Sequence, residues 1–181
     1  MKKLIAHIKR IYRLSIGYKK QEKLVWEDLK QLHSEEKWES GVYENEKYIE
    51  TKFSIAEQQG GLFFYSIYEG EYHCRVKILD GFSSDMTTDI FILAAHFNNL
   101  MNYGVVVVNV QYQFVEYRLK TEILMPLLYP FELYSRLMRH YDTARDVYWA
   151  FQELTDKNEA PALIIADLLK KKEEEEEEEE N

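Results

Sequence analysis

Between Lys47 and Leu79 the sequence keeps a two-residue hydrophobic period through three consecutive segments, each closed by turn residues. Alternate side chains reach opposite faces only in extended strands, so this stretch must supply sheet rather than helix. From Lys47 to Ile55, the residues Ile49, Thr51, Phe53 and Ile55 alternate with Glu50, Lys52 and Ser54. From Leu62 to Glu69 both faces are apolar, with Leu62, Phe64 and Tyr68 on one side and Phe63, Tyr65 and Ile67 on the other. From Glu71 to Leu79, Tyr72, Cys74, Val76 and Ile78 oppose His73, Arg75 and Lys77. Gln58, Gln59, Gly60 and Gly61 are expected to form the first turn and Glu69-Gly70-Glu71 the second, giving an antiparallel meander.

Helical periodicity flanks this meander. Leu4, Ile5, Ile8, Ile11, Tyr12 and Ser15 share one face of an N-terminal helix, with Lys2, Lys9, Arg10 and Arg13 mostly elsewhere. Such a basic amphipathic helix either packs on its own domain with a solvated basic face or docks on a membrane surface or partner. The short stripe without Trp or Phe favours the first use. A second helix is expected from about Lys20 to Lys37, carrying Leu24, Val25, Leu29 and Leu32. Asp80-Gly81 and the Ser83, Ser84, Asp85 cluster introduce a helix from about Met86 to Asn102, striped by Ile90, Leu93, Ala94, Phe97, Leu100 and Met101 and closed by Gly104. Strands follow at Val105–Val108 and Phe114–Ile123. Beyond Pro126 and Pro130 a long helix runs to about Leu154, with Phe131, Tyr134, Leu137, Met138, Tyr141, Val147, Tyr148, Phe151 and Leu154 on its stripe, and a last helix opens near Pro161.

The expected architecture is α+β: a five-stranded antiparallel sheet with helices packed on one face, in the order α-α-β-β-β-α-β-β-α-α. Residues 1–37 form an N-terminal helical segment, 38–170 the α+β domain, and 171–181 an acidic tail. Glu173 to Glu180 place like charges at every helical neighbour position, so the tail is expected to lack order.

The formal charge of -9 is uneven. Met1 to Lys23 carries eight basic residues and one acid, while the remainder is strongly acidic. An acidic body repels phosphate backbones, which argues against nucleic acid as a partner. The single cysteine, Cys74, allows no internal disulfide, as suits a reducing cytoplasm. His7, Lys9, Arg10 and Arg13 interrupt what a signal peptide would keep apolar, and no run approaches the length of a membrane span, so a cytoplasmic, soluble chain is expected.

No catalytic constellation is legible. The seven glycines form no phosphate-binding loop, and His7, His33, His73, His96 and His140 are scattered without metal-ligand spacing. His73 and Cys74 should point to opposite faces of one strand, so they form no nucleophile–base pair. The expectation is a non-enzyme with no catalytic, cofactor-binding or metal-binding residues and no cofactor. A rival reading places a small-molecule or enzymatic pocket between the sheet and the long helix, where tyrosines and His96 or His140 would converge.

Fourteen tyrosines, nine phenylalanines and three tryptophans exceed what a core of this size requires. Aromatic residues concentrate at protein interfaces. The doubly apolar strand needs cover on both faces, so either a helix of the chain, the N-terminal one among them, lies over the second face or another chain does; in the latter case Phe63, Tyr65 and Ile67 are the expected protein-interaction face, meeting another polypeptide or a second copy of the chain.

The stretch IFILAAHFNNLMNYG, the strand pair VVVVNVQYQFVEYRLKTEIL and the helix FELYSRLMRHYDTARDVYWAFQEL together resemble the YbjN family of bacterial proteins. Those proteins are similar in fold to the chaperones of type III secretion systems. Asn98, Asn99, Gly104, Tyr117 and Arg118 occupy the places of the family pattern. Gln111-Tyr112-Gln113 departs from it, standing where Asp-Gly is usual at the hairpin. The resemblance spans roughly Lys47 to Leu154. It implies a helix, three strands, a helix, two strands and a helix, with a binding or regulatory role, often in dimers, and no catalytic residues to carry over.

Overall fold

A computed structural model of the chain describes residues 2–56 and 59–179. Two helices open it, α1 (Lys2–Ser15) and α2 (Tyr18–Glu35), separated by Ile16 and Gly17. Four strands follow: β1 (Ser40–Tyr43), β2 (Tyr48–Ala56), β3 (Gln59–Tyr68) and β4 (Glu71–Leu79). A 3₁₀ turn at Ser84–Met86 leads into α3 (Thr87–Leu100), then β5 (Val105–Asn109) and β6 (Phe114–Glu122). Three helices complete the described chain: α4 (Leu124–Leu128), α5 (Glu132–Lys157) and α6 (Pro161–Glu179). The fold is α+β, with an antiparallel sheet in the order β1-β2-β3-β4-β6-β5.

Six strands, not five, make the sheet, and the order of elements gains β1 and α4. β1 is four residues long and mostly exposed, so it has neither the length nor the alternation that betrays a strand. Its pairing with β2, Ser40 opposite Thr51 and Tyr43 opposite Tyr48, is what fixes it. Three further expectations change, two at turns and one at the tail. Gln59, Gly60 and Gly61 belong to β3, while Gln58 lies outside the described residues. Gly104 does not close α3, which ends at Leu100; it takes a φ of +77° immediately before β5. The glutamate run continues α6 as far as Glu179, where Lys170 and Lys171 pair with Glu174 and Glu175 one turn on.

The chain divides into two compact units. The first comprises Met1–Phe53, Leu62–Arg75 and Leu119–Tyr141. Its core gathers Val25, Trp26, Leu29, Phe63, Tyr65 and Leu133, all nearly or fully buried. Its β3–β4 turn is built for glycine. Glu69 and Gly70 have φ of +52° and +74°, as a type I′ hairpin requires, and a Cβ on Gly70 would stand 1.8 Å from the Tyr18 hydroxyl. The Gly70 N–H donates to Glu22 at 2.6 Å and its carbonyl accepts from the Ile123 N–H at 3.0 Å, tying α2 and α4 to the turn.

The second unit comprises Ser54–Gly61, Val76–Arg118 and Asp142–Asn181. α3 buries Ile90, Leu93, Ala94 and Phe97, while α6 buries Ile164, Ile165 and Leu168. Asn98 holds α3 to β5 by two hydrogen bonds with Val106, accepting from its N–H at 2.7 Å and donating to its carbonyl at 3.0 Å. The Tyr117 hydroxyl donates to the Tyr103 carbonyl, and Asn109 accepts from the Tyr112 N–H to close the β5–β6 turn. Three of the residues singled out in sequence, Asn98, Gly104 and Tyr117, thus have structural work at the α3–β5 connection.

Candidate binding surface

Alternation along β3 decides which of its two apolar faces is a surface. Phe63, Tyr65 and Ile67 are 0–1 % exposed, so the interaction face expected there is instead interior. Phe63 and Tyr65 meet the His140 ring at 5.7 and 6.1 Å, and Tyr65 meets His33 at 5.5 Å. Helices α5 and α2 of the chain itself cover this face. The other face is the open one: Leu62 and Tyr68 are 41 % and 48 % exposed, and Phe64 is half-buried between them.

On that open face a row of rings crosses four strands. Tyr43 on β1 stacks on Tyr48 of β2 at 4.3 Å between centroids, the two being register partners. Tyr48 leans towards Phe64 of β3 at 6.1 Å, and the Arg75 guanidinium of β4 sits over the Phe64 ring at 4.8 Å. Three aromatic rings and a guanidinium thus stand side by side, at a spacing where each pair contributes beyond its buried area. Tyr43 is 40 % exposed and Arg75 is exposed, so the row is open to solvent.

A second cluster lies further along β3 and β4. Tyr68 stacks on His73 at 4.0 Å, and Glu71 pairs with Lys120 of β6 at 2.6 Å. The Lys120 hydrogen bond holds the Glu71 carboxyl below its ordinary range. Burial lowers the His73 imidazole more than the Glu71 charge raises it, so this ring is a neutral stacking partner at pH 7.

Behind the sheet the polar groups are structural. His33 Nδ1 lies 3.0 Å from Ser40 Oγ and 3.1 Å from Thr51 Oγ1, and those two hydroxyls are 3.0 Å apart, closing a buried triangle beneath β1 and β2. Burial depresses the His33 pKa to about 4. Cys74 is buried and desolvation pushes its thiol far above the usual range, with His73 on the opposite face of β4 as alternation requires.

The pocket expected between sheet and long helix takes another form. Within the second unit a cleft of about 940 Å³ is lined by Asp142, Asp146 and Trp149 of α5, Lys171 and Lys172 of α6, and Gln59, among others. Lys172 pairs with Asp146 at 2.5 Å and Lys171 stands over the Trp149 ring at 5.8 Å. Neither His96 nor His140 reaches it, and its described lining includes no histidine or cysteine. His140 is wholly buried instead. Among the described residues no group of three or more His, Cys, Asp or Glu side chains is placed to hold a metal ion, and no helix is long and apolar enough to cross a membrane.

No family model, curated protein or solved structure matches the chain.

Proposed function

We propose that this chain is a non-enzymatic polypeptide-binding module, chaperone-like or regulatory, that engages its partner or a second copy of itself through the open face of β1 to β4. The row of Tyr43, Tyr48, Phe64 and Arg75 carries this reading. Aromatic side chains and arginine dominate the energetics of protein interfaces, because rings bury a large area at little rotamer cost and the planar guanidinium stacks and donates several hydrogen bonds at once. The row is a broad strip rather than a cavity, which suits a polypeptide better than a small molecule. β1 is also a sheet edge, able to pair with an added strand beside the row. The resemblance to the YbjN family points to the same class of role.

The reading extends to a bacterial cytoplasmic setting, where polypeptide clients are abundant. Its test is a triple variant, Tyr48→Ser, Phe64→Ser and Arg75→Glu, compared with the wild type by light scattering and by affinity capture followed by mass spectrometry. The wild type should self-associate or retain a defined polypeptide. The variant should bind it at least about thirtyfold more weakly, the effect of losing one interface hot spot. Equal behaviour of the two proteins would refute the assignment of the surface.

A further inference from the structure

The N-terminal helix is docked the opposite way round from a helix that packs on its own core. Arg13, on the basic side of α1, forms two hydrogen bonds with the Asp28 carboxylate and a third, at 3.2 Å, with the Leu127 carbonyl. The Arg13 side chain is only 19 % exposed, and Arg10 lies over the Tyr129 ring at 4.3 Å. On the far side of the helix, Leu4, Ile5, Ile8, Ile11 and Tyr12 are 51–62 % exposed. An arginine face turned inward has left a four-residue aliphatic stripe, with a tyrosine at its margin, in water.

We infer that this stripe is a docking surface for an anionic lipid bilayer, with α1 lying in the plane of the interface. Charge selects the occupant. Met1 to Lys23 carries eight basic residues and one acid, and with Arg13 neutralised by Asp28 the excess is still strongly positive. The one acid in that segment, Glu22, is turned away to accept the Gly70 N–H. Lys9, beside the stripe, and Lys19, Lys20 and Lys23, just past the Gly17 break, are exposed. Two copies pairing through this helix would bring two such segments into contact, and their repulsion opposes self-association there. A bilayer bearing anionic headgroups satisfies both features: its acyl region takes the non-directional aliphatic stripe, and its surface potential attracts the flanking lysines. At fourteen residues α1 is about 21 Å long, too short to span but long enough to lie along a surface.

The test is co-sedimentation of the full chain with vesicles of phosphatidylcholine alone or with one third phosphatidylserine, alongside light scattering of the free protein. The wild type should pellet with the anionic vesicles and not with the neutral ones, and added salt should release it. Ile5→Ser with Ile8→Ser, both at exposed positions and with circular dichroism to check the fold, should weaken binding by about tenfold or more. Lys19→Glu with Lys20→Glu should weaken binding to the anionic vesicles too, and make what remains less sensitive to salt. No sedimentation of the wild type, equal sedimentation with neutral vesicles, or undiminished binding by the isoleucine variant would each overturn the inference. A wild-type dimer that becomes monomeric in the isoleucine variant would assign the stripe to a second copy and overturn it too.

Discussion

Cys74 sits in a strand whose alternate residue, His73, looks the other way, and that separation sets its chemistry. A thiolate is the reactive form of cysteine, and burial disfavours it, so the thiol should resist alkylation in the native protein at pH 8 and react fully once the chain is unfolded. Rapid native labelling would show that the thiol is not shielded as described. The His33 triangle makes a second residue-scale prediction. Its folded-state pKa, about 4, lies below the unfolded value of 6.5, so between these the unfolded chain binds more protons. Stability therefore falls as pH drops from 6.5 towards 4 and levels off below, by up to about 3 kcal/mol for this one group. Denaturation midpoints of His33→Gln should slope less steeply than wild type across that window, although the variant starts lower for want of the histidine. The Tyr65 hydroxyl is buried with no hydrogen-bond partner among the described residues. Tyr65→Phe should therefore leave stability unchanged or raise it by about 1 kcal/mol in urea titration. Periodicity put Cys74 on the apolar face of its strand, where it is buried, but left open which face of the doubly apolar strand around Tyr65 was interior. That choice rests on α2 and α5, whose placement no local pattern encodes.

At the level of elements, period-two alternation located β2, β3, β4 and β6 to within a few residues, because each is long and sharply patterned. β1 escaped for the reverse reason. The stripe of α5 was placed in part: Leu137, Val147, Tyr148, Phe151 and Leu154 are buried as expected. Among its buried residues, Leu133, Leu137, His140, Ala144, Val147, Phe151 and Leu154 form a row that alternates steps of four and three along the whole helix, with Tyr148 and Ala150 buried beside it. A reading that favours large apolar residues passes over His140 and Ala144 and takes in Phe131 and Tyr134, which are 65 % and 41 % exposed. Helix packing selects position before residue type, so a small or polar side chain at the right step is buried with its neighbours. The β3–β4 turn ties several elements together, and Gly70→Ala tests it. A Cβ there meets the Tyr18 ring and hydroxyl while the backbone stays left-handed. The substitution should cost about 2 kcal/mol or more, read from urea midpoints. Gly17→Ala, where a Cβ meets nothing within 4 Å but the N-cap glycine of α2 is lost, should cost less, about 1 kcal/mol or under.

For the molecule as a whole, the aromatic excess is divided by the sheet, not spent wholly on the core. Phe63, Tyr65, Tyr72 and Tyr117 are interior, while Tyr43, Tyr48, Phe64 and Tyr68 remain on or near the surface with Arg75. Composition made the excess visible, and only the packing of helices shows which rings are left over. The central claim is that these leftover rings meet another polypeptide. Placing the photo-cross-linking residue p-benzoylphenylalanine at position 64 tests it most directly, with the same probe at exposed Tyr112 as control. The account predicts a discrete covalent adduct to a polypeptide, a second copy or a partner, from position 64, abolished by Tyr48→Ser with Arg75→Glu and absent from position 112. Equal labelling from both positions, or no adduct from position 64, would contradict it.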